Sequence, residues 1–138
     1  DKLVTGVQTC ALPISGIHQI ESRVVEELRE HDRSNVAYLA HDKFQASMHE
    51  FFQKPNELVF GRETADQAHG RFYRSVHTIL NEHPNKTVVV VTHGTVMSLF
   101  VSRLTGRSDF ELWNMLGLPS FIALEFHSST LIVKASID

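Results

Sequence analysis

Residues Val88 to Gly94 read V-V-V-V-T-H-G, and a helix-like run, Thr95 to Leu104, follows at once. Four consecutive valines suit a strand covered on both faces, as in a parallel sheet. Gly94 removes the side chain where a ligand would approach the backbone. The helix start adds unpaired N–H groups and the positive end of a helix dipole. Strand, His-Gly, helix therefore aims the His93 imidazole and the N–H groups of Gly94 and Thr95 at one point. Such a point suits an anion, for example a phosphoryl group. The competing reading of His93 is a ring satisfied by backbone contacts near the sheet edge.

The flanking pattern alternates strands and helices, which argues for α/β layering. Ser22 to Glu27 reads as a short strand and Leu28 to Val36 as a polar loop. Asp42 to Gln53 carries Phe44, Met48, Phe51 and Phe52 at helical spacing, with a capping-box pair at Asp42 and Gln45 and a stop at Pro55. Thr64 to His83 is the clearest helix: Ala65, Ala68, Phe72, Val76, Ile79 and Leu80 form one apolar stripe. Thr64 and Gln67 have capping-box spacing, and Pro84 ends the run. Thr87 to Thr92 is the buried strand, and Gly106 closes the helix after it. Ser108 and Glu111 open a short helix through Met115, broken by Gly117 and Pro119. Phe121 to Phe126 and Thr130 to Lys134 read as strands, joined by His127-Ser128-Ser129 as a hairpin or lying as neighbours.

Composition narrows the class. The chain has 138 residues, one domain's worth, and a formal charge of -3, which gives no electrostatic reason to expect nucleic acid or an anionic membrane as partner. No apolar run reaches the length of a membrane span, and the start lacks a signal-peptide pattern. A single cysteine, Cys10, cannot form an internal disulfide, so a reducing, cytoplasmic setting is the default. His18, His31, His41, His49, His77, His83 and His127 form no metal-ligand spacing and read as exposed polar residues. Phe44, Phe51, Phe52 and Phe60 read as core or pocket wall. No dinucleotide fingerprint or phosphate loop occurs. Oligomeric state stays open.

Val4 to Ile14, V-T-G-V-Q-T-C-A-L-P-I, resembles the translation of a common sequencing-adapter oligonucleotide. On that reading residues 1–15 are an unstructured artefact, residues 16–138 are the domain, and natural sequence upstream of Gly16 is absent.

From Gly61 through Phe126 the chain resembles the histidine phosphatase superfamily, the phosphoglycerate-mutase-like phosphatases. The matching pieces are G-R-E-T-A-D, V-V-V-V-T-H-G-T-V and L-G-L-P-S-F. The resemblance implies a three-layer α/β/α sandwich with a mostly parallel sheet, incomplete here because the first strand and the elements after it are missing. It implies hydrolysis of a small phosphorylated substrate through a phosphohistidine, with no metal or organic cofactor. His93 would stabilise phosphoryl charge, helped by backbone N–H groups at Gly94 and Thr95. Leu28-Arg29-Glu30 matches the family's L-x-E, which makes Glu30 the general acid, then base. Arg33 would contact substrate or lie on the surface. The nucleophile, a histidine in an Arg-His-Gly motif on the first strand, is absent. Ala68-His69-Gly70 lies inside a helix and is a helix-surface histidine. The chain as written would then be inactive, and its valine strand would expose apolar surface. A non-catalytic phosphate- or protein-binding relative, a phosphoglycerate mutase and a nucleotide-binding α/β domain are the other readings.

Overall fold

The computed structural model describes residues 2–6, 13, 15–117, 120–127 and 130–132. Among them are strands β1 (Lys2–Gly6) and β2 (Ser22–Arg23), helices α1 (His41–Gln53) and α2 (Ala65–Glu82), strand β3 (Thr87–Val91), helices α3 (Gly94–Thr105) and α4 (Asp109–Met115), and strands β4 (Glu125–His127) and β5 (Thr130–Ile132). A single 3-10 turn, Glu26–Leu28, follows β2.

The sheet is parallel, in the order β2-β1-β3. Lys2 to Gly6 run in register with Thr87 to Val91. Lys2–Gly6, within the stretch expected to be unstructured, thus occupies a sheet position beside the valine strand that was expected to be empty. A valine strand with an open edge presents a row of unpaired N–H and C=O groups. Val4 and Thr5 are of residue types favoured in strands. The predicted strand over Ser22 to Glu27 is shorter than expected, since Glu26 already turns. β4 and β5 pair antiparallel in a separate two-stranded sheet, in line with the hairpin reading, but β4 begins only at Glu125 and not at Phe121; residues 133 and 134 of the second predicted strand lie outside the described residues.

Helix α2 follows its apolar stripe. Ala65, Ala68, Phe72, Val76 and Ile79 are buried, and the Thr64–Gln67 capping box forms in both directions. The box expected at Asp42 and Gln45 does not form. Helix α1 starts earlier, with Ala40 as its N-cap and no side-chain cap, so Asp42 falls inside the first turn. Gly106, at φ 72°, takes the left-handed conformation that terminates α3.

The core joins Leu28, Met48, Phe51, Phe52, Phe72, Val76, Ile79, Val96, Leu99, Phe100, Val101 and Leu112. Burying a side chain of this size stabilises by about 1.5–3 kcal/mol. Helix α3 is central to it and packs against both α2 and α4. Val88 and Val90 lean on this core, yet all four valines are half-buried and none is fully enclosed. The continuous run therefore overstated their burial. An apolar cavity of about 160 Å³ lies between Val88 and Val90, Phe72 and Val76 of α2, and Met97 and Phe100 of α3. Phe51 and Phe52 are buried and Phe44 and Phe60 pack partly buried beside them, so the phenylalanine cluster is core. Among the described residues no helix is long and apolar enough to cross a membrane.

Candidate functional site

β3 ends where α3 begins, and the junction is His93. It is the N-cap of α3, with extended backbone (φ −119°, ψ 163°) and no capping hydrogen bond from its side chain. Its Nδ1 is buried without a hydrogen-bond partner among the described residues. The next residue, Gly94, lies under Trp113: a Cβ there would sit 3.8 Å from the indole Cδ1.

The cap that His93 does not provide comes from Glu30. The Thr95 N–H donates to Glu30 Oε2 and the Val96 N–H to Oε1, each at 3.2 Å. The His31 N–H also donates to Oε1, at 2.9 Å. A carboxylate at a helix N-terminus meets both the unpaired donors and the favourable end of the dipole. The loop carrying Glu30 thus reaches the first turn of α3, which begins directly after His93. The Thr95 N–H, expected to face a ligand, here donates to Glu30.

Arg33 stands beside this pair. Its Nη2 is 3.7 Å from Glu30 Oε2, its Nη1 donates to Met48 Sδ at 3.5 Å, and its guanidinium carbon lies 5.3 Å from the Phe44 ring centroid. Phe44 in turn meets Trp113 at 5.9 Å between centroids. Arg33, Phe44 and Trp113 thus form a continuous run of contacts from Glu30 to Gly94. Cation–π contact with Phe44 holds the arginine in place.

Behind Glu30 is a polar frame that sequence reasoning missed. Arg71, only 6% exposed, makes a two-pronged pair with Glu63, Nε to Oε2 at 3.0 Å and Nη2 to Oε1 at 2.6 Å. Its other N–H groups donate to the carbonyls of Glu27, Arg29 and Glu30 at 2.8–2.9 Å. Burial raises the Glu63 pKa, but the hydrogen bonds from Arg71 and from the Asp32 N–H outweigh it, so the carboxyl is held below its ordinary value. His31 is also buried, at 3% exposed, which corrects its reading as an exposed polar residue. Its Nε2 donates to the Glu63 carbonyl at 3.1 Å and its ring lies 4.4 Å from that of Phe51. Desolvation pushes its pKa down, so the imidazole stays neutral. A signal was present in the sequence: Arg71 falls three residues after Ala68, on the apolar side of α2, where a charge needs a partner.

His69 is half-buried on α2 and its Nδ1 lies 3.3 Å from Arg103, which also pairs with Asp66. It belongs to the α2–α3 contact, apart from the Glu30 constellation. Among the described residues no group of His, Cys, Asp and Glu could hold a metal ion.

The histidine phosphatase superfamily (branch 1) matches residues 7–137. No curated protein matches by sequence. Among solved structures, a mutant phosphoserine phosphatase from Entamoeba histolytica, in complex with phosphoserine, superposes with a TM-score of 0.77 at 14% identity, covering 99% of this chain and 73% of that one. YhfR of Bacillus stearothermophilus gives 0.69 at 20% identity, covering 97% and 72%. The α-ribazole phosphatase of Shigella flexneri gives 0.67 at 16%, covering 98% and 72%.

Proposed function

The chain belongs to the histidine phosphatase superfamily, and on that premise we propose that its site is built for hydrolysis of a small phosphomonoester, lacking in this sequence only the parts that a first-strand Arg-His-Gly motif and its companion clamp arginine would supply. The observation that carries the reading is the contact of Glu30 with the first N–H groups of α3, directly after His93. It supports a reading in which a carboxyl group, an imidazole and a helix start serve one site.

In the full reaction a histidine nitrogen attacks phosphorus and the P–O bond to the leaving group breaks. Glu30 gives its proton to the departing oxygen. Water then attacks the phosphohistidine, Glu30 takes the water's proton, and inorganic phosphate leaves. His93 donates to the phosphoryl oxygens and offsets their charge in both steps. No metal or organic cofactor enters this scheme.

No histidine follows β1: the strand ends Thr5-Gly6, and Val7-Gln8 come next. Gly6 pairs with Val91, two residues before His93. A nucleophile at position 6 would therefore emerge beside His93. The test is p-nitrophenyl phosphate turnover by the chain as it stands and by a Thr5→Arg/Gly6→His/Val7→Gly variant. The unmodified chain should show no turnover above background. The triple variant should gain turnover that His93→Ala removes. Robust turnover by the unmodified chain, abolished by His93→Ala, would refute the missing-nucleophile reading. Phosphate binding without turnover in the triple variant would favour a non-catalytic binding protein.

A further inference from the structure

We infer that Arg71, locked by Glu63, is the positioning residue for Glu30, holding the loop at residues 27–32 so that the Glu30 carboxylate reaches α3. The inference rests on the acid/base reading of Glu30 for its catalytic meaning, although its geometry stands apart from catalysis.

The loop has no strand partner. After the 3-10 turn at Glu26–Leu28, which puts Leu28 in the core, its part-buried backbone lies against α2. Buried carbonyls there must find donors. Arg71 supplies them: Glu27, Arg29 and Glu30 each give a carbonyl to one guanidinium, and Glu63 takes the remaining donors. All five N–H groups of the side chain are thereby used. Glu63 extends the same frame past Glu30. Its Oε1 accepts the Asp32 N–H at 3.0 Å and its carbonyl accepts from His31. The Arg62 N–H donates to the Asp32 carbonyl at 2.8 Å. The backbone is thus held at residues 27, 29, 30 and 32, on both sides of the Glu30 side chain. A planar fork of donors imposes a fixed geometry that a lysine ammonium does not reproduce. A proton-transfer group on a loop needs such support, because small errors in placement cost activity.

The test uses the full chain, 15N-labelled. In the unmodified protein the Thr95 and Val96 amide shifts should co-titrate with the Glu30 carboxyl, and Glu30→Gln should abolish that titration. In Arg71→Lys the titration amplitude should fall at least about twofold while the remaining amide spectrum stays folded. In the variant carrying the nucleophile, the same substitution should lower kcat and leave KM unchanged. Full co-titration in a folded Arg71→Lys would overturn the inference. If Arg71→Lys does not fold, the apolar pair Glu63→Leu/Arg71→Met replaces the ion pair with similar volume, and co-titration retained there would overturn it equally. Failure of both to fold, with Glu30→Gln folded, would also overturn it, by making the pair a requirement of the fold and not of Glu30's position. Loss of co-titration with no gain of turnover in any nucleophile-bearing variant would instead sink the phosphatase reading and leave the positioning role standing.

Discussion

The Thr92 hydroxyl donates to the Leu28 carbonyl at 2.8 Å, joining the end of β3 to the loop that carries Glu30. The bond spans 64 positions in sequence and stands one residue before His93. Thr92→Val keeps the shape and removes the donor. It should lower stability by about 1–3 kcal/mol, the cost of leaving a buried carbonyl unpaired. Thr92→Ser should recover most of the loss. Urea unfolding followed by circular dichroism measures both, and a Thr92→Val midpoint equal to wild type would rule the bond out as a contributor.

Gly61 should tolerate no side chain. Its φ of 84° is left-handed, and a Cβ would stand 2.5 Å from the Asp32 carbonyl oxygen and 2.8 Å from His31 Cε1. Gly61→Ala combines backbone strain of about 1–3 kcal/mol with displacement of the Asp32 backbone. Lower melting temperature together with changed Thr95 and Val96 amide shifts is the expected pair of readouts. A purely local loss of stability would leave those shifts unmoved.

Acid should destabilise the fold in two stages. His31 is held below 6.5 by burial, and its bare Nδ1 has no acceptor for a second proton among the described residues. His69 is pushed down to about 4, by burial first and by Arg103 second. Both bind more protons unfolded than folded, so stability falls as pH drops below about 6.5. Glu63, held below 4.5 on balance, has the same sign in a lower window: its contribution is complete above about 4.5 and is lost as the folded carboxyl protonates. Melting temperatures in a pH series should decline from neutral pH downward. A flat profile between about pH 7 and 5 would contradict the histidine part.

In the nucleophile-bearing variant, Glu30→Gln should cut kcat by about 10²- to 10⁴-fold, the range for losing a general acid. The loss should shrink with p-nitrophenyl phosphate, whose leaving group needs little protonation, and be larger with an alkyl phosphate. Equal losses on both substrates would argue against proton delivery by Glu30.

Much of this was legible in the chain. The apolar stripe and the Thr64–Gln67 box give α2 its limits to within a residue, and V-V-V-V-T-H-G gives β3 and the start of α3. Periodicity and capping are local, so sequence carries them. The frame around Glu30 is different in kind. Arg71 and Glu27 meet across 44 positions, Asp32 and Glu63 across 31. An irregular loop has no period that would mark His31 as buried. β1 is too short to carry a strand period of its own, and its place in the sheet depends on backbone pairing with β3 far along the chain, where Lys2 meets Thr87. The family resemblance located His93 and Glu30 in sequence, but only packing brings the two segments to one helix end.

That helix end has an unusual owner. Most N-caps are supplied by the residue at the helix start, yet α3 borrows its cap from Glu30, 65 positions away. Helix end and acid/base group are therefore one thermodynamic unit. On the proposed function, a phosphoryl oxygen that took the same N–H groups would replace the Glu30 carboxylate like for like. Binding at the proposed site would then be an exchange of one anion for another at a fixed address, with the first turn of α3 sensing which of the two is present.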